Sequence, residues 1–399
     1  MSKTGKIVRM YDKYIMNTYK RVPFCLEKAK GAKVRDIEGK EYLDFFPGWA
    51  VSGIGHCHPR VAAAIKKQAS RLLHVSNNYY SALQARLAEA IVKSAFPGKV
   101  FFANSGAEAN EAAVKLARKY GHDSGRYEVI TMTKSFHGRT LAMITATGQD
   151  KVTKGFEPLP SGFIHIPFND IEAVKQAITD RTIAIMLEPI QCEGGINIAG
   201  AEYMKNLRRI CDEKDIILIF DEVQTGMGRS GRMFACKNYG VVPDVMTLAK
   251  ALGGGLPIGV CVAREKFQDV LTPGTHASTF GGSPIVCAAG LAVFEAIKKD
   301  KLLENTVKMG AYLVKKLKCL KAEHGSIKEV RGMGLIIGVE LGINGEDVYK
   351  ECMKEGLLIN CVQDTVLRIM PPMTVTKSEI DKAVAILDKV LSGFKSGRA

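Results

Sequence analysis

A chain of 399 residues, 46% hydrophobic and 24% charged, has the composition of an ordinary folded protein and can bury the core of a large domain plus a smaller one. It contains no run of eighteen apolar residues, which excludes a membrane-spanning helix, while a net charge of +15 raises nucleic acid as a partner. The basic residues are spread along the whole chain, with no dense run beyond pieces such as KKLKCLK, so the charge reads as solvated helix faces and attraction to anionic metabolites. In chain order, the basic opening MSKTGKIVRMYDKYIM lacks the apolar core of a signal peptide, and a cytoplasmic location is expected. GAKVRDIEGKEYLDF reads as two short strands turning at Glu38-Gly39. HCHP at 56–59 offers two histidines without a second ligand cluster, so no metal is expected. From about residue 60 to 290, apolar runs alternate with amphipathic stretches. The expected strands are KVFFAN, YEVITM, GFIHIP, IAIMLEPI, DIILIFDE, DVMTLA and GVCVAR, and the helices lie at 59–73, 83–94, 107–120, 171–178 and 201–214. Such alternation predicts an α/β fold with a mostly parallel sheet covered by helices. A long helix begins near GGSPIVCAAGLAVFEAIKK, and helices around LIIGVEL and VLRIMPP suggest a smaller α+β domain. The expected division is 1–58 packing with the small domain, 59–285 as the large domain and 286–399 as the small one. The ten cysteines are scattered with no CxxC pair, as expected of reduced thiols.

Ligands of open parallel sheets bind at the carboxyl ends of the strands, so the residues at those ends carry the chemistry. After KVFFA, Asn104-Ser105-Gly106-Ala107 opens a helix with backbone N–H groups suited to a phosphate, or else is a plain serine cap. After YEVITMTKS comes FHGRT, where Phe136 can stack on a flat ring and Arg139 can clamp a carboxylate. After DIILIF comes Asp221-Glu222-Val223-Gln224, an acid pair where solvent is scarce, in need of a positive partner or a proton. After DVMTLA comes Lys250, followed by glycines that let a ligand approach. In a dry site its amine has a depressed pKa and attacks carbonyl carbon. Phosphate site, aromatic lid, carboxylate for a ring nitrogen and carbonyl-reactive lysine are together what pyridoxal 5'-phosphate requires. GMGRSG at 226–231 fits the GxGxxG pattern, but Asp221 and Glu222 put negative charge where a dinucleotide pyrophosphate would lie.

These stretches, together with MNTYKR, GKEYLDF, GHCHP, NSGAEANEAAVKLARKYG, EPIQCEGG, LAKALGGGLPIG and HASTFGGSP, resemble the fold-type-I pyridoxal-phosphate enzymes of the class III aminotransferase family over nearly the whole chain. MNTYKR and the helix after NSGAEANE favour the acetylornithine branch. The 4-aminobutyrate, ornithine, succinylornithine and succinyldiaminopimelate enzymes of the family share the same catalytic parts. The resemblance implies that Lys250 condenses with the cofactor aldehyde and that Asp221 partners the pyridinium nitrogen. It further implies that Gln224 bonds the ring 3-hydroxyl, that Phe136 stacks, and that Ser105, Gly106 and Ala107 hold the phosphate, with Glu222 and Val223 in the cofactor-binding stretch. Thr279 matches a threonine that reaches the phosphate of the neighbouring subunit, implying a homodimer with shared sites. Ser278 matches a position near the amino-acid substrate. Arg139 would hold the distal carboxylate of the substrate, and Glu193 would mask Arg368 for one substrate and release it for the other. Asn77, Tyr79, Tyr80 and Ser278 are candidate lining for an acyl pocket. Two departures from the branch are Cys192, where glycine is usual, and Ser283, where asparagine is usual.

Overall fold

The computed structural model describes residues 2–395. Its main sheet has seven strands in the order Gly98–Ala103, Gly259–Arg264, Val245–Leu248, Ile217–Asp221, Thr182–Leu187, Glu128–Met132 and Phe163–Ile166. Each of the seven apolar runs picked out in the sequence supplies one of these strands. Gly259–Arg264 runs antiparallel to both its neighbours, and the other pairings are parallel. Thr182–Leu187, Ile217–Asp221 and Val245–Leu248 are buried at every residue, which is why they read as continuous apolar runs without alternation. Helix Gly106–Gly121 presses Ala109, Ala112, Ala113 and Ala117, all fully buried, toward the sheet, so the backbone of its first turn lies close to the strand ends.

The smaller domain is built on an antiparallel sheet, Ile327–Met333, Ile336–Leu341, Val366–Ile369 and Asn360–Val362. Helices Leu302–Glu323 and Lys377–Lys395 supply Leu313, Leu317, Leu387 and Leu391 to the core it shares with Ile337, Val339 and Leu367. The N-terminal strands Leu26–Lys30, Lys33–Asp36 and Glu41–Asp44 join this region through Leu357–Leu358, which pairs parallel to Glu41–Asp44. The expected turn at Glu38-Gly39 is present, with Gly39 at φ +97°.

The GMGRSG segment is a joint between the two parts of the molecule. Arg229 is completely buried and donates to the carbonyls of Pro371 (2.6 Å) and Leu335 (2.7 Å), and burial pulls its pKa down to about 10. Gly228, at φ +92°, leaves space that the Met373 sulfur fills. His56 and His58 turn to different carboxylates, Asp44 (2.8 Å) and Asp300 (3.2 Å). All ten cysteines are free thiols, and no helix among the described residues is long and apolar enough to cross a membrane.

Candidate active site

A cavity of about 510 Å³ opens at the carboxyl ends of the main-sheet strands. It is lined in turn by residues following Gly98–Ala103 (Ser105, Gly106, Ala107), Glu128–Met132 (Phe136, His137, Arg139) and Thr182–Leu187 (Glu188, Cys192, Glu193). Asp221, Val223 and Gln224 follow from Ile217–Asp221, and Lys250 from Val245–Leu248. Residues scattered over 145 positions of sequence therefore meet because a parallel sheet puts all these strand ends on one edge (Ser105 to Lys250).

Ser105 caps helix Gly106–Gly121 and accepts the Glu108 N–H at 3.2 Å. Helix geometry gives the N–H groups of Gly106 and Ala107 no intrahelical acceptor, so they are available to an anion in the cavity. Two glycines keep this turn open. A Cβ on Gly106 would meet Val223 Cγ1 at 2.7 Å, and one on Gly259 would sit 2.0 Å from the Ser105 carbonyl oxygen. Backbone cannot yield as a side-chain tip can, so Gly259→Ala is expected to displace the turn. The expected cost is about 2–3 kcal/mol of stability, together with weaker retention of a phosphate-bearing ligand, checked by thermal unfolding and by titrating the cofactor into apoprotein.

Asp221 is 3% exposed, and three donors fix its carboxylate. Oδ2 accepts from Asn110 Nδ2 (2.7 Å) and from His137 Nδ1 (2.9 Å), and Oδ1 accepts the Val223 N–H (3.0 Å). Asn110 is itself held by the His137 carbonyl (2.7 Å) and by the Thr247 hydroxyl (2.6 Å). His137 Nε2 is buried with no hydrogen-bond partner among the described residues.

Lys250, which lines the cavity, adopts φ +44°, a left-handed conformation uncommon for a side-chain-bearing residue. Its amine donates to Gln224 Oε1, while Gln224 Nε2 donates to the Trp49 carbonyl at 3.2 Å. Burial depresses the Lys250 pKa below its usual 10.5, opposed by the charges of Glu193 and Asp221. Glu188 is buried beside Asp221, and its carboxyl is pushed well above the usual range by desolvation first and by that neighbouring charge second. Its Oε2 accepts the Phe136 N–H at 3.0 Å and so fixes the backbone that carries the ring. The Arg139 guanidinium lies over the Phe136 ring, 5.4 Å from its centroid.

Behind the cavity wall, Arg368 is fully buried and donates to Glu193 Oε1 at 2.6 Å. Asn360 Oδ1 accepts from Arg368 Nε (3.0 Å) and Nη2 (2.7 Å), and the guanidinium lies over Phe46 (4.5 Å) and Trp49 (5.4 Å). Glu193 lines the cavity and stands between it and Arg368.

One expectation is corrected, and the other expected residues are placed as follows. Glu222 does not face the cavity. Its two oxygens accept the N–H groups of Ala235 (2.5 Å) and Cys236 (2.7 Å), so it is a buried framework carboxylate whose pKa burial raises. Tyr79 and Tyr80 are exposed, and Asn77 is occupied in holding the 278–281 loop through the carbonyls of Ser278 (2.9 Å) and Gly281 (3.1 Å). Ser278 lies outside the lining of this cavity. Its hydroxyl accepts from Asn104 Nδ2 (3.1 Å) and the Gly281 N–H (3.0 Å), and Thr279 is exposed on the same loop. Asn110, Thr247 and Glu188 were not singled out. The available signal for Asn110 was its position one helical turn beyond Gly106, on the face that looks at the strand ends.

The site suits the expected cofactor on its own geometry. An anion seat at the helix start, a fixed buried carboxylate, a half-buried aromatic and an amine of depressed pKa surround one cavity of matching size. Comparison with known proteins agrees. The class III aminotransferase family model matches residues 14–391. The chain is 53% identical to the acetylornithine aminotransferase of Caldanaerobacter subterraneus subsp. tengcongensis, over 96% of this chain and 98% of that protein. It is 52% identical to the acetylornithine aminotransferase of Methanocaldococcus jannaschii, over 97% and 98%. Among solved structures it is similar to the ornithine aminotransferase of Toxoplasma gondii ME49, with a TM-score of 0.95, 33% identity and coverage of 100% and 97%. It is also similar to the acetylornithine aminotransferase of Elizabethkingia anophelis, with a TM-score of 0.88, 29% identity and coverage of 99% and 100%. The chain belongs to the class III aminotransferases and is a pyridoxal-phosphate-dependent transaminase.

Proposed function

We propose that this transaminase moves the terminal amino group of N2-acetylornithine to 2-oxoglutarate, giving N-acetylglutamate 5-semialdehyde and glutamate, as a cytoplasmic step of arginine biosynthesis. The observation that carries transfer from a terminal amine is the Glu193–Arg368 pair. A terminal amine carbon bears no carboxylate, whereas the reacting carbon of glutamate does, so one cation must be neutralised for the first substrate and available for the second. Arg368, stacked on Phe46 and Trp49, is held in place while Glu193 supplies the neutralising charge. The acetyl preference is supported by relatives of that name at 52–53% identity.

Pyridoxal phosphate, when bound, supplies an aldehyde carbon for amines to condense with and a ring that withdraws electrons from the substrate carbon. The chain provides the rest. Ser105, Gly106 and Ala107 would hold the phosphate, Phe136 would stack on the ring with Val223 in the same cavity lining, and Gln224 would orient the ring hydroxyl. The Asp221 carboxylate would pair with the ring nitrogen and hold a proton there. Lys250, driven toward its neutral form by burial, accepts a proton from substrate carbon and returns it one position away. Arg139, exposed at the cavity mouth, binds the distal carboxylate of either substrate.

The same reading makes the enzyme a homodimer. Thr279 and the exposed Phe280 project from a loop that Asn77 fixes, and Met16, Tyr19, Leu73 and Tyr80 leave apolar surface uncovered on the single chain. A second copy is the natural cover for such surface.

The test is a donor panel of N-acetylornithine, ornithine and 4-aminobutyrate with 2-oxoglutarate as acceptor, N-acetylornithine being expected to give the highest kcat/KM. Glu193→Ala is expected to shift the ratio of kcat/KM for N-acetylornithine and glutamate by at least about tenfold toward glutamate, about 1.4 kcal/mol in barrier. Equal losses in both half-reactions would reduce the pair to a structural ion bridge.

A further inference from the structure

Glu193 stands in the five-residue loop of a small hairpin whose strands, Ile190–Gln191 and Asn197–Ile198, pair Ile190 with Ile198 and Gln191 with Asn197. Its backbone is unusual. Gly195 has φ +111°, and Ile196, a β-branched residue, has φ +59°, so two successive residues are held in the left-handed region. The Ile196 side chain is completely buried with Cys192, Ile336 and Met370, and it meets Gly338 where a larger residue would collide.

Four consecutive carbonyls of this loop each accept a hydrogen bond from a side chain. The Glu193 carbonyl accepts from Gln363 Nε2 (3.0 Å) and that of Gly194 from Asn197 Nδ2 (3.0 Å). The Gly195 carbonyl accepts from Arg331 Nε (3.1 Å) and Nη2 (2.6 Å), and that of Ile196 from Arg331 Nε (3.2 Å). Arg331 and Gln363 both come from the small-domain sheet region, Arg331 from strand Ile327–Met333 itself. The remaining Arg331 nitrogen, Nη1, is fixed by Glu329 (2.7 Å) and Glu340, which point the rest of the guanidinium at the loop. A polar cavity of about 500 Å³, lined by Arg331, Gln191 and Asn197, borders the hairpin base, so hydrogen bonds rather than close packing hold it on that side.

We propose that Arg331 is a positioning residue for donor selection, fixing from the small domain the left-handed hairpin that keeps Glu193 on Arg368. The inference rests on the reading of Glu193 and Arg368 given above. Arg331 does not line the active-site cavity and touches none of the reacting groups. Its effect passes through the loop carbonyls: without it the left-handed residues relax, Glu193 spends less time on Arg368, and the freed cation favours a substrate with a carboxylate at the reacting carbon.

The test compares Arg331→Met, Arg331→Lys, Gln363→Leu and Glu193→Ala holoenzymes with the parent. One readout is the kcat/KM ratio for N-acetylornithine against glutamate, and the other is calorimetric binding of glutarate, a dicarboxylate that cannot react. Arg331→Met is expected to move the ratio at least fivefold toward glutamate and to tighten glutarate at least threefold, with Arg331→Lys intermediate. Equal falls for both donors with unchanged glutarate binding overturn the proposal. Should Arg331→Met fail to fold, Gln363→Leu carries the same expectation at twofold or more, and an unchanged ratio there overturns it. Glu193→Ala separates the two levels. If it shifts the ratio and the Arg331 and Gln363 variants do not, only the positioning role falls. If it leaves the ratio unchanged, the mask falls and this inference with it.

Discussion

Replacing Lys250 with alanine is expected to lower amino-group transfer by at least about 10⁴-fold while leaving the fold intact. In the proposed mechanism the amine has two tasks, condensing with the cofactor aldehyde and carrying a proton between neighbouring carbons, and among the described residues no other lysine lines the cavity. Its hydrogen bond goes to Gln224 Oε1, which keeps its own tie to the Trp49 carbonyl through Nε2, so the truncation leaves that support in place. Stability of the apoprotein, in which the Lys250 amine is free, should change in a pH-dependent way. The folded-state pKa of Lys250 lies below 10.5, so the unfolded chain binds more protons between the two values, and the parent gains stability as pH rises through that window. The alanine variant lacks this gain, and below the window it is spared the burial of an ammonium. Single-turnover measurements with each donor check the rate. Borohydride treatment followed by mass spectrometry checks the attachment, which should label Lys250 in the parent and be absent from the variant. Turnover near the parental rate would remove the basis of the mechanism.

The fold was legible because burial made it so. Strands such as Ile217–Asp221, covered on both faces, leave uninterrupted apolar runs that stand out against amphipathic helices such as Ala201–Lys214. Strand Ile327–Met333, IKEVRGM, was missed because most of it is only partly covered and its charged residues break the apolar signal. The hairpin at Ile190–Gln191 was missed because two-residue strands have no period to read. Lys250, Asp221, Gln224 and Phe136, which line one cavity, could be picked out because strand ends are a position that sequence defines. Glu222 was drawn in by adjacency, yet neighbouring residues at a strand end point to opposite sides, and its carboxylate caps the N–H groups of Ala235 and Cys236 instead. The supporting set of Asn110, Thr247 and Glu188 depends on side chains meeting across three elements, and Arg331 on a contact between domains. No local pattern encodes either. The glycine motif at 226–231 shows the converse: the spacing was real, but it serves the packing of Arg229 under Leu335 and Pro371.

Asp221→Asn is expected to slow both half-reactions by a similar factor, at least about 10³-fold, because in the proposed mechanism it removes the carboxylate that pairs with the protonated ring nitrogen. The substitution is nearly isosteric, so its consequences follow from donors and acceptors. Oδ2 of Asp221 receives two donors, from Asn110 and His137, and Oδ1 receives the Val223 N–H. An asparagine amide has one acceptor atom and one donor atom, so in either orientation its NH₂ faces at least one of these N–H groups. Turned toward Val223 it abuts one backbone donor, and turned the other way it abuts both Asn110 and His137. The first orientation is therefore favoured, at a cost of about 1–3 kcal/mol for the unmet buried donor. His137 is 2% exposed, and its Nε2 has no hydrogen-bond partner among the described residues. Glu193→Ala should change the balance between donors, whereas Asp221→Asn should leave that balance near its parental value, because both substrates use the same ring. Single-turnover rates for N-acetylornithine and for glutamate, measured with each variant, separate these outcomes. A large loss confined to one donor in Asp221→Asn would place the carboxylate in substrate recognition instead of ring chemistry.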